Sequence, residues 1–158
     1  MGSSATDDAT DSTSEPSELT ELADLIDGLA QSAFQTMTVL TRIAAENDLS
    51  LTQLRALAIL RDRRLRMTDL VDHLGLEKST LTGLIARAEA RGLVERAPNA
   101  ADRRAVDVFL SAEGHRLARQ IEAELALRLQ PMVSALHPAE RRTLAGLLNK
   151  AVGTGSRP

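Results

Sequence analysis

The most informative part of this chain is residues 76–117, LEKSTLTGLIARAEARGLVERAPNAADRRAVDVFLSAEGHRL. Apolar residues recur there at three- and four-residue steps, which predicts an amphipathic helix from Lys78 to Arg91, ended by Gly92. The stripe expected to face inward consists of Leu81, Leu84, Ile85 and Ala88. The opposite face consists of small, hydroxyl-bearing or basic residues: Ser79, Thr82, Gly83, Ala86 and Arg87. Because a solvated helix face usually has Glu and Lys, this composition indicates a helix that approaches another surface closely.

A β-hairpin is predicted directly after this helix. Short apolar or alternating segments at residues 93–96 and 105–110 are typical of two strands, and a polar turn separates them. The tip of the hairpin is basic, since it contains Arg103 and Arg104 beside Asp102. This tip is either an ordinary solvated turn or a contact point for an anionic partner.

Two shorter helices precede residue 78. Ser50 and Gln53 have the spacing of a capping box, in which each side chain bonds the backbone N–H of the other residue, so a helix is expected from residue 51. Further along, Thr68 is expected to cap a short helix that ends at Gly75. The short helix, its glycine-containing turn and the helix from residue 78 together predict a helix-turn-helix.

Long helices are predicted on both sides of these elements. Apolar spacing predicts one over residues 18–48, and two more, capped by Ser111 and opened by Pro138, over residues 112–152. One small core cannot cover such long helices along their whole length, so we expect a dimer. The residues expected at its interface are the leucines of residues 19–40 and 117–148. The alternative is that these leucines form the internal core of a monomer.

The charge is distributed unevenly along the chain. The net charge is −3, but residues 1–21 contain six acids and no base, whereas residues 55–104 contain eleven Lys or Arg against seven Asp or Glu. Residues 1–17 are predicted to be a disordered acidic tail, because they have too little apolar surface to offset the entropy of ordering. Residues 153–158 are predicted to be a frayed end.

The composition excludes several classes of protein. The 158 residues, 43% hydrophobic and 26% charged, are typical of one soluble globular domain with tails. Aromatic residues make up 1%, which argues against base stacking on single-stranded nucleic acid. The lack of Cys rules out disulfides, thiolate metal sites and thiol redox sensing. No apolar run approaches the roughly 18 residues of a membrane span, so we expect no membrane contact and a cytoplasmic location.

The sequence contains no recognisable catalytic constellation. His73, His115 and His137 are scattered without a metal-binding spacing, and there is no Gly-rich phosphate loop, nucleophile elbow or cysteine nucleophile. Glu122 and Glu124 lie two residues apart, so on a helix their carboxylates diverge. We therefore expect neither an enzyme nor a bound cofactor or metal ion.

The order of the predicted elements resembles that of the MarR family of bacterial transcriptional regulators, over roughly residues 20–152. Four motifs support the resemblance: Lys78-Ser79-Thr80, Arg91-Gly92-Leu93-Val94, Asp102-Arg103-Arg104 and Leu110-Ser111-Ala112-Glu113-Gly114. Each motif is weak alone, but their order and spacing are specific. The resemblance implies a mainly α fold with a small β-hairpin wing. A winged helix-turn-helix at residues 49–111 would then lie between N- and C-terminal dimerisation helices at residues 18–48 and 112–152.

Sequence-specific binding of double-stranded DNA by a homodimeric repressor is the function that the resemblance implies. The DNA-binding residues would be Lys78, Ser79, Thr80, Thr82, Gly83 and Arg87 on the helix, with Arg103 and Arg104 at the wing. In the family's Asp-x-Arg pattern, Asp102 steadies the arginine. Gly83 departs from the family, since many relatives have a long polar side chain there; the glycine weakens a base contact but permits closer approach.

The resemblance also implies a small aromatic or anionic effector, held between the dimerisation helices and the winged helix, that releases the DNA. Phe34 and Met37 are candidates for lining that cleft, although their spacing also suits a helix core. A further hypothesis is that the acidic tail competes with DNA for the basic face.

The alternative function is a winged-helix protein-interaction module that does not bind DNA. A positive rim formed by Lys78, Arg87, Arg103 and Arg104 favours DNA over that alternative.

Overall fold

The computed structural model describes residues 15–153, with side chains from Ser17 onward. Within that range the elements are α1 (Glu15–Glu46), α2 (Leu51–Leu60), β1 (Leu65–Arg66), α3 (Met67–Leu74), α4 (Lys78–Ala90), β2 (Val94–Pro98), β3 (Val106–Leu110), α5 (Ala112–Val133) and α6 (Pro138–Ala151). The predicted acidic tail lies outside the described residues except for its last three, which belong to α1. Most of the predicted frayed end also lies outside them.

The described chain divides into two units, one that ends at residue 38 and one that begins at residue 39. The described part of the first unit is the N-terminal part of α1. Its large apolar side chains are exposed: Leu19, Leu22, Leu25, Ile26, Leu29, Phe34 and Met37. The spacing that predicts an amphipathic helix is therefore confirmed, but within the described chain its apolar stripe is not buried. For Phe34 and Met37, the interpretation as core residues is wrong in this single chain.

The second unit has a continuous hydrophobic core. The predicted inward stripe of α4 is confirmed, since Leu81, Leu84, Ile85 and Ala88 are all buried. They belong to a core cluster that also contains residues of α2, α3, β3 and α5, among them Leu57, Leu70, Val108 and Leu117. Each fully buried Leu or Ile stabilises the fold by about 1.5–3 kcal/mol. Burial of this one stripe determines which face of α4 is left for solvent or a partner.

Helix ends follow the predicted chemistry at most positions. Ser50 and Gln53 form the capping box, with backbone N–H to side-chain oxygen distances of 3.1 and 2.8 Å. Gly75 ends α3 in the left-handed conformation, at φ 65°. The expectation for Thr68 is wrong: α3 begins at Met67, directly after β1, and its N-cap residue is Arg66. The pairing of β1 with the sheet moves the helix start upstream.

A three-stranded antiparallel sheet joins the two ends of the helix-turn-helix, in the order β1-β3-β2. The predicted hairpin is confirmed, with Val94 opposite Leu110 and Pro98 opposite Val106. Strand β1 pairs Leu65 with Val108 on the other side of β3. This strand is two residues long, which is too short to leave a periodic signal in the sequence.

Helices α5 and α6 complete the described chain. Ser111 caps α5 as predicted, accepting a hydrogen bond from the Gly114 N–H at 2.9 Å. Pro138 opens α6 as predicted, and His137 is its N-cap residue. Helix α6 has no buried residue, and its large apolar side chains Leu144, Leu147 and Leu148 are exposed, as is its C-cap residue Val152. Among the described helices, none is both long and apolar enough to cross a membrane.

Candidate nucleic-acid interface

Helix α4 presents the polar face that the sequence predicts. Ser79, Thr82 and Arg87 are exposed on the side opposite the buried stripe, and Lys78 and Thr80 are exposed in the first turn. The N-cap residue of α4 makes no side-chain capping bond, so the N–H groups of this turn are not bonded by a cap. Free N–H groups and the positive end of the helix dipole together favour an anion such as a phosphate.

Contacts within α4 restrict the chemistry of its exposed face. The Thr82 hydroxyl donates a hydrogen bond to the Lys78 carbonyl at 2.8 Å, which leaves its oxygen as an acceptor for a ligand. A Cβ at Gly83 would lie 3.6 Å from Nη1 of Arg87, so the Arg87 guanidinium lies beside the glycine. Because Gly83 has no side chain, no group projects from α4 beside the Arg87 guanidinium.

The wing tip is an ordered loop. The side-chain oxygen of Asn99 accepts hydrogen bonds from the N–H groups of Ala101 and Asp102, at 3.0 and 2.9 Å. The backbone closes the loop, because the Asn99 N–H donates to the Ala105 carbonyl at 2.9 Å. Arg103 and Arg104 are exposed at this tip. The loop thus presents two cations on a hydrogen-bonded frame.

Asp102 contacts the main chain of the wing. Its carboxylate accepts a hydrogen bond from the Arg104 N–H at 3.0 Å, and its carbonyl accepts one from the Ala105 N–H at 2.9 Å. The ion pairs of the described residues include none between Asp102 and the Arg104 guanidinium. In this structure Asp102 therefore holds the backbone of Arg104 and leaves the guanidinium available for other contacts.

A basic groove lies between α4 and the wing, with a volume of about 270 Å³. Lys78 and Thr82 from α4 and Arg104 from the wing line it. Two further cations line it that were not among the predicted site residues, Arg66 of β1 and Arg96 of β2. The basic residues at positions 61–66 are a sequence signal that could have indicated Arg66 as a site residue. Only the pairing of β1 with β3, however, brings Arg66 to this groove. Arg96 is bonded to Glu89, and this contact raises its pKa.

The region that builds this groove matches a family model. Residues 47–105 match the model of the MarR family. The structure of NadR in complex with 4-hydroxyphenylacetate superposes on this chain with a TM-score of 0.66 and 26% sequence identity, covering 94% of this chain and 97% of that one. Residues 47–105, which include most of the groove lining, therefore match the MarR family.

Two other relatives agree with this MarR assignment. The HTH-type transcriptional regulator YfiV of Bacillus subtilis (strain 168) is 30% identical over 98 residues, which are 61% of this chain and 61% of that relative's length. The structure of a MarR mutant from E. coli complexed with operator DNA has a TM-score of 0.60 and 26% identity, covering 85% of this chain and 95% of that one. The winged helix-turn-helix architecture of the MarR fold is therefore present here.

A second cavity, of about 200 Å³, lies between the C-terminal part of α1, α2 and α5. Its lining is mostly apolar: Leu40, Leu54, Leu57, Ala58, Ala118, Ile121 and Leu125. Its two charged lining residues, Arg61 and Glu122, form an ion pair with Nη1 and Oε1 3.0 Å apart. Arg61 also pairs with Asp62 at 3.0 Å. The cavity thus combines an apolar body with an arginine that already has two acidic partners.

The histidines have local contacts. Nδ1 of His73 lies 2.7 Å from the Asp69 carbonyl one helical turn away, and Nδ1 of His137 accepts from the Ala139 N–H at 3.4 Å. Among the described residues, no group of three or more His, Cys, Asp or Glu side chains could hold a metal ion.

Proposed function

We propose that this protein is a homodimeric transcriptional repressor of the MarR family that binds double-stranded DNA at a specific sequence. One observation supports this function above the others: Lys78 and Thr82 of α4 and Arg104 of the wing line the same basic groove. A helix face of small polar residues suits the major groove, which is about 12 Å wide and admits one helix. A wing arginine suits the adjacent minor groove, where narrow stretches concentrate negative potential.

Each predicted site residue has a specific role in this proposal. Hydroxyl and basic groups near the start of α4 bind phosphates and base edges, and Arg87 is suited to guanine, which it can bind through two hydrogen bonds. The α4 set is Lys78, Ser79, Thr80, Thr82, Gly83 and Arg87. Arg103 and Arg104 bind the minor groove or its phosphates, while Arg66 and Arg96 face the phosphates between helix and wing. The relative that is complexed with operator DNA supports double-stranded DNA as the partner.

Dimerisation is the second part of the proposal. The apolar stripe of residues 19–37 and that of α6 are both exposed in the single chain. Contiguous exposed apolar patches are rare on monomeric proteins and typically mark interfaces. A second copy of this chain is the partner we propose for them. Two recognition helices related by a two-fold axis would then bind half-sites about one helical turn apart in a pseudo-palindrome. Catalysis and a metal cofactor have no part in this function, which we place in the cytoplasm.

The test of DNA binding is Arg104→Ala, with Arg119→Ala as its control. Both changes remove one exposed arginine, but Arg119 lies on α5 and does not line the groove. We expect Arg104→Ala to weaken operator binding by about 1–3 kcal/mol and Arg119→Ala to have little effect. The operator is first selected from genomic fragments. Gel shifts over a range of salt concentrations then measure the operator affinity of both variants. Equal effects of the two variants, or an affinity independent of salt, would favour the protein-interaction module instead.

The apolar cavity is the site that we propose for a small aromatic effector. Its volume suits one aromatic ring, since an apolar cavity of about 150 Å³ already accepts benzene. NadR, whose structure contains 4-hydroxyphenylacetate, supports an aromatic ligand. A carboxylate would have to compete with Glu122 for Arg61, so Glu122→Gln is expected to strengthen the binding of 4-hydroxyphenylacetate. Calorimetry measures that change, and gel shifts with and without the ligand measure the coupling to DNA, expected at about 5- to 150-fold. DNA affinity unchanged at saturating ligand would refute the effector role of the cavity.

A further inference from the structure

Asp107 is the one polar or charged residue of the described chain that is buried, with 7% of its surface exposed. It lies on β3, the central strand of the sheet, opposite Arg66 of β1 and Ala97 of β2. A buried carboxylate is unfavourable unless hydrogen bonds and an opposite charge satisfy it. The identity of its partners therefore shows what the residue holds in place.

Asp107 has one partner on each side of the sheet's central strand. Oδ1 accepts a hydrogen bond from Nδ2 of Asn99, at the start of the wing tip, at 2.8 Å. Oδ2 lies 3.4 Å from Nε of Arg64, in the segment just before β1. The Arg64 guanidinium in turn lies over the Phe109 ring, 3.8 Å from its centroid. The carboxylate thus connects the body of the sheet to the first residue of the tip.

The connection continues from Asn99 to the wing arginine. The Asn99 side chain donates to Asp107 through its nitrogen, so its oxygen must face the tip, where it accepts from the N–H groups of Ala101 and Asp102. Asp102 then accepts from the Arg104 N–H. A continuous path of hydrogen bonds therefore runs from a buried acid to the backbone of Arg104.

We propose that Asp107 and Asn99 are positioning residues that hold the wing tip in its DNA-binding conformation. This inference rests on the proposed function, in which Arg104 contacts DNA. Because ordering a mobile loop on binding costs conformational entropy, a loop that is already ordered binds more tightly through the same contacts. Asp107 itself lies beneath Asn99 and Arg64 and contacts no DNA in this proposal.

The experiment is a double-mutant cycle between Asn99→Ala and Arg104→Ala, measured as operator affinity. If Asn99 acts through the tip, Arg104→Ala weakens binding about 5- to 150-fold in the wild-type chain but less than about threefold in the Asn99→Ala chain. The slope of log affinity against log salt also becomes shallower by about one phosphate contact in Asn99→Ala. If Asn99 were needed only for stability, the folded Asn99→Ala variant would show the same effect of Arg104→Ala and the same salt slope as the wild-type chain.

Substitutions at Asp107 supply the second measurement. Asp107→Leu removes the acceptor and leaves Nδ2 of Asn99 and the Arg64 guanidinium without their carboxylate partner, so it is expected to lower stability to some extent. Asp107→Asn keeps an acceptor for Asn99. We expect Asp107→Leu to weaken DNA binding at temperatures well below its melting temperature, where the variant is folded, and Asp107→Asn to retain most of the affinity. Gln120→Ala, on the exposed side of α5, is the control.

The outcomes separate this inference from the proposed function. A wild-type chain that binds no DNA would overturn both. A wild-type chain that binds DNA, with additive effects of Asn99→Ala and Arg104→Ala, would overturn the positioning role alone. If Asp107→Leu does not fold, the cycle with Asn99→Ala decides the matter, because Asn99 is at the half-exposed wing tip.

Discussion

Replacing Gly114 by alanine should destabilise this protein, although alanine is normally the better helix residue. Gly114 lies in the first turn of α5, and a Cβ there would be 1.9 Å from the Leu93 carbonyl oxygen and 3.3 Å from Cβ of Leu110. Carbon and oxygen atoms normally approach to about 3.3 Å, so the two segments must separate by more than 1 Å. The Leu93 carbonyl also accepts the Ser111 N–H at 3.1 Å, and separation would break that bond.

The loss of stability expected for Gly114→Ala can be calculated from these contacts. Overpacking costs about 1–3 kcal/mol, and the lost hydrogen bond about 1 kcal/mol more. The higher helix propensity of alanine offsets about 1 kcal/mol. We therefore expect Gly114→Ala to lower the free energy of unfolding by about 1–3 kcal/mol, and the melting temperature by about 2–12 °C.

The matched control is Gly146→Ala in α6. A Cβ at Gly146 would have no heavy atom within 4 Å, and Gly146 lies on the face of α6 away from Leu144 and Leu148. This variant should gain about 0.5–1 kcal/mol. Urea unfolding monitored by circular dichroism measures both changes. The reasoning would be refuted if Gly114→Ala were as stable as the wild type, or if the two variants shifted stability in the same direction.

Three further predictions follow from the described contacts. Leu81→Ala, in the fully buried stripe of α4, should cost about 2–5 kcal/mol in urea unfolding, and a loss below 1 kcal/mol would contradict the packing. The hydrogen bond from Arg128 lowers the pKa of Glu46, so this pair stabilises the fold above the ordinary Glu pKa and the stabilisation is lost as pH falls through the lowered pKa. Stability measured from neutral to acidic pH should therefore fall less in Glu46→Gln than in the wild type; parallel curves would argue against it. Leu147→Asp, on the exposed stripe of α6, should shift the protein towards monomer in sedimentation at micromolar concentration, and an unchanged dimer would exclude α6 from the interface.

Most of the helices could be predicted from signals between residues that are close together in the sequence. The spacing of Leu81, Leu84 and Ile85 sets the buried side of α4, and the serine caps at Ser50 and Ser111 mark where two helices begin. These signals are local, because one helical turn contains both the cap and the N–H groups that it bonds. The sequence therefore predicted which face of α4 is exposed, and the hairpin that follows the helix.

Tertiary pairing determined features that no local window contains. Arg91 was part of a motif leading to the wing, yet its guanidinium donates to the carbonyls of Asn47 and Asp48, more than 40 residues away. The burial of Asp107 depends on Arg64 and Asn99, which come from two other segments. Arg91 donates hydrogen bonds to backbone carbonyls, and Arg64 and Asn99 bond to the buried Asp107 carboxylate. In both cases the bonded groups come together only when the chain has folded.

The sequence by itself determined the helix-turn-helix, its exposed polar face and the basic tip of the wing. The tertiary structure alone decided that Arg66 and Arg96 join them in one groove and that a buried carboxylate supports the tip. Periodicity and capping involve residues a few positions apart, whereas strand pairing joins residues 65–66 to residues 107–108. Only the pairing of the three strands brings such distant groups within hydrogen-bonding distance.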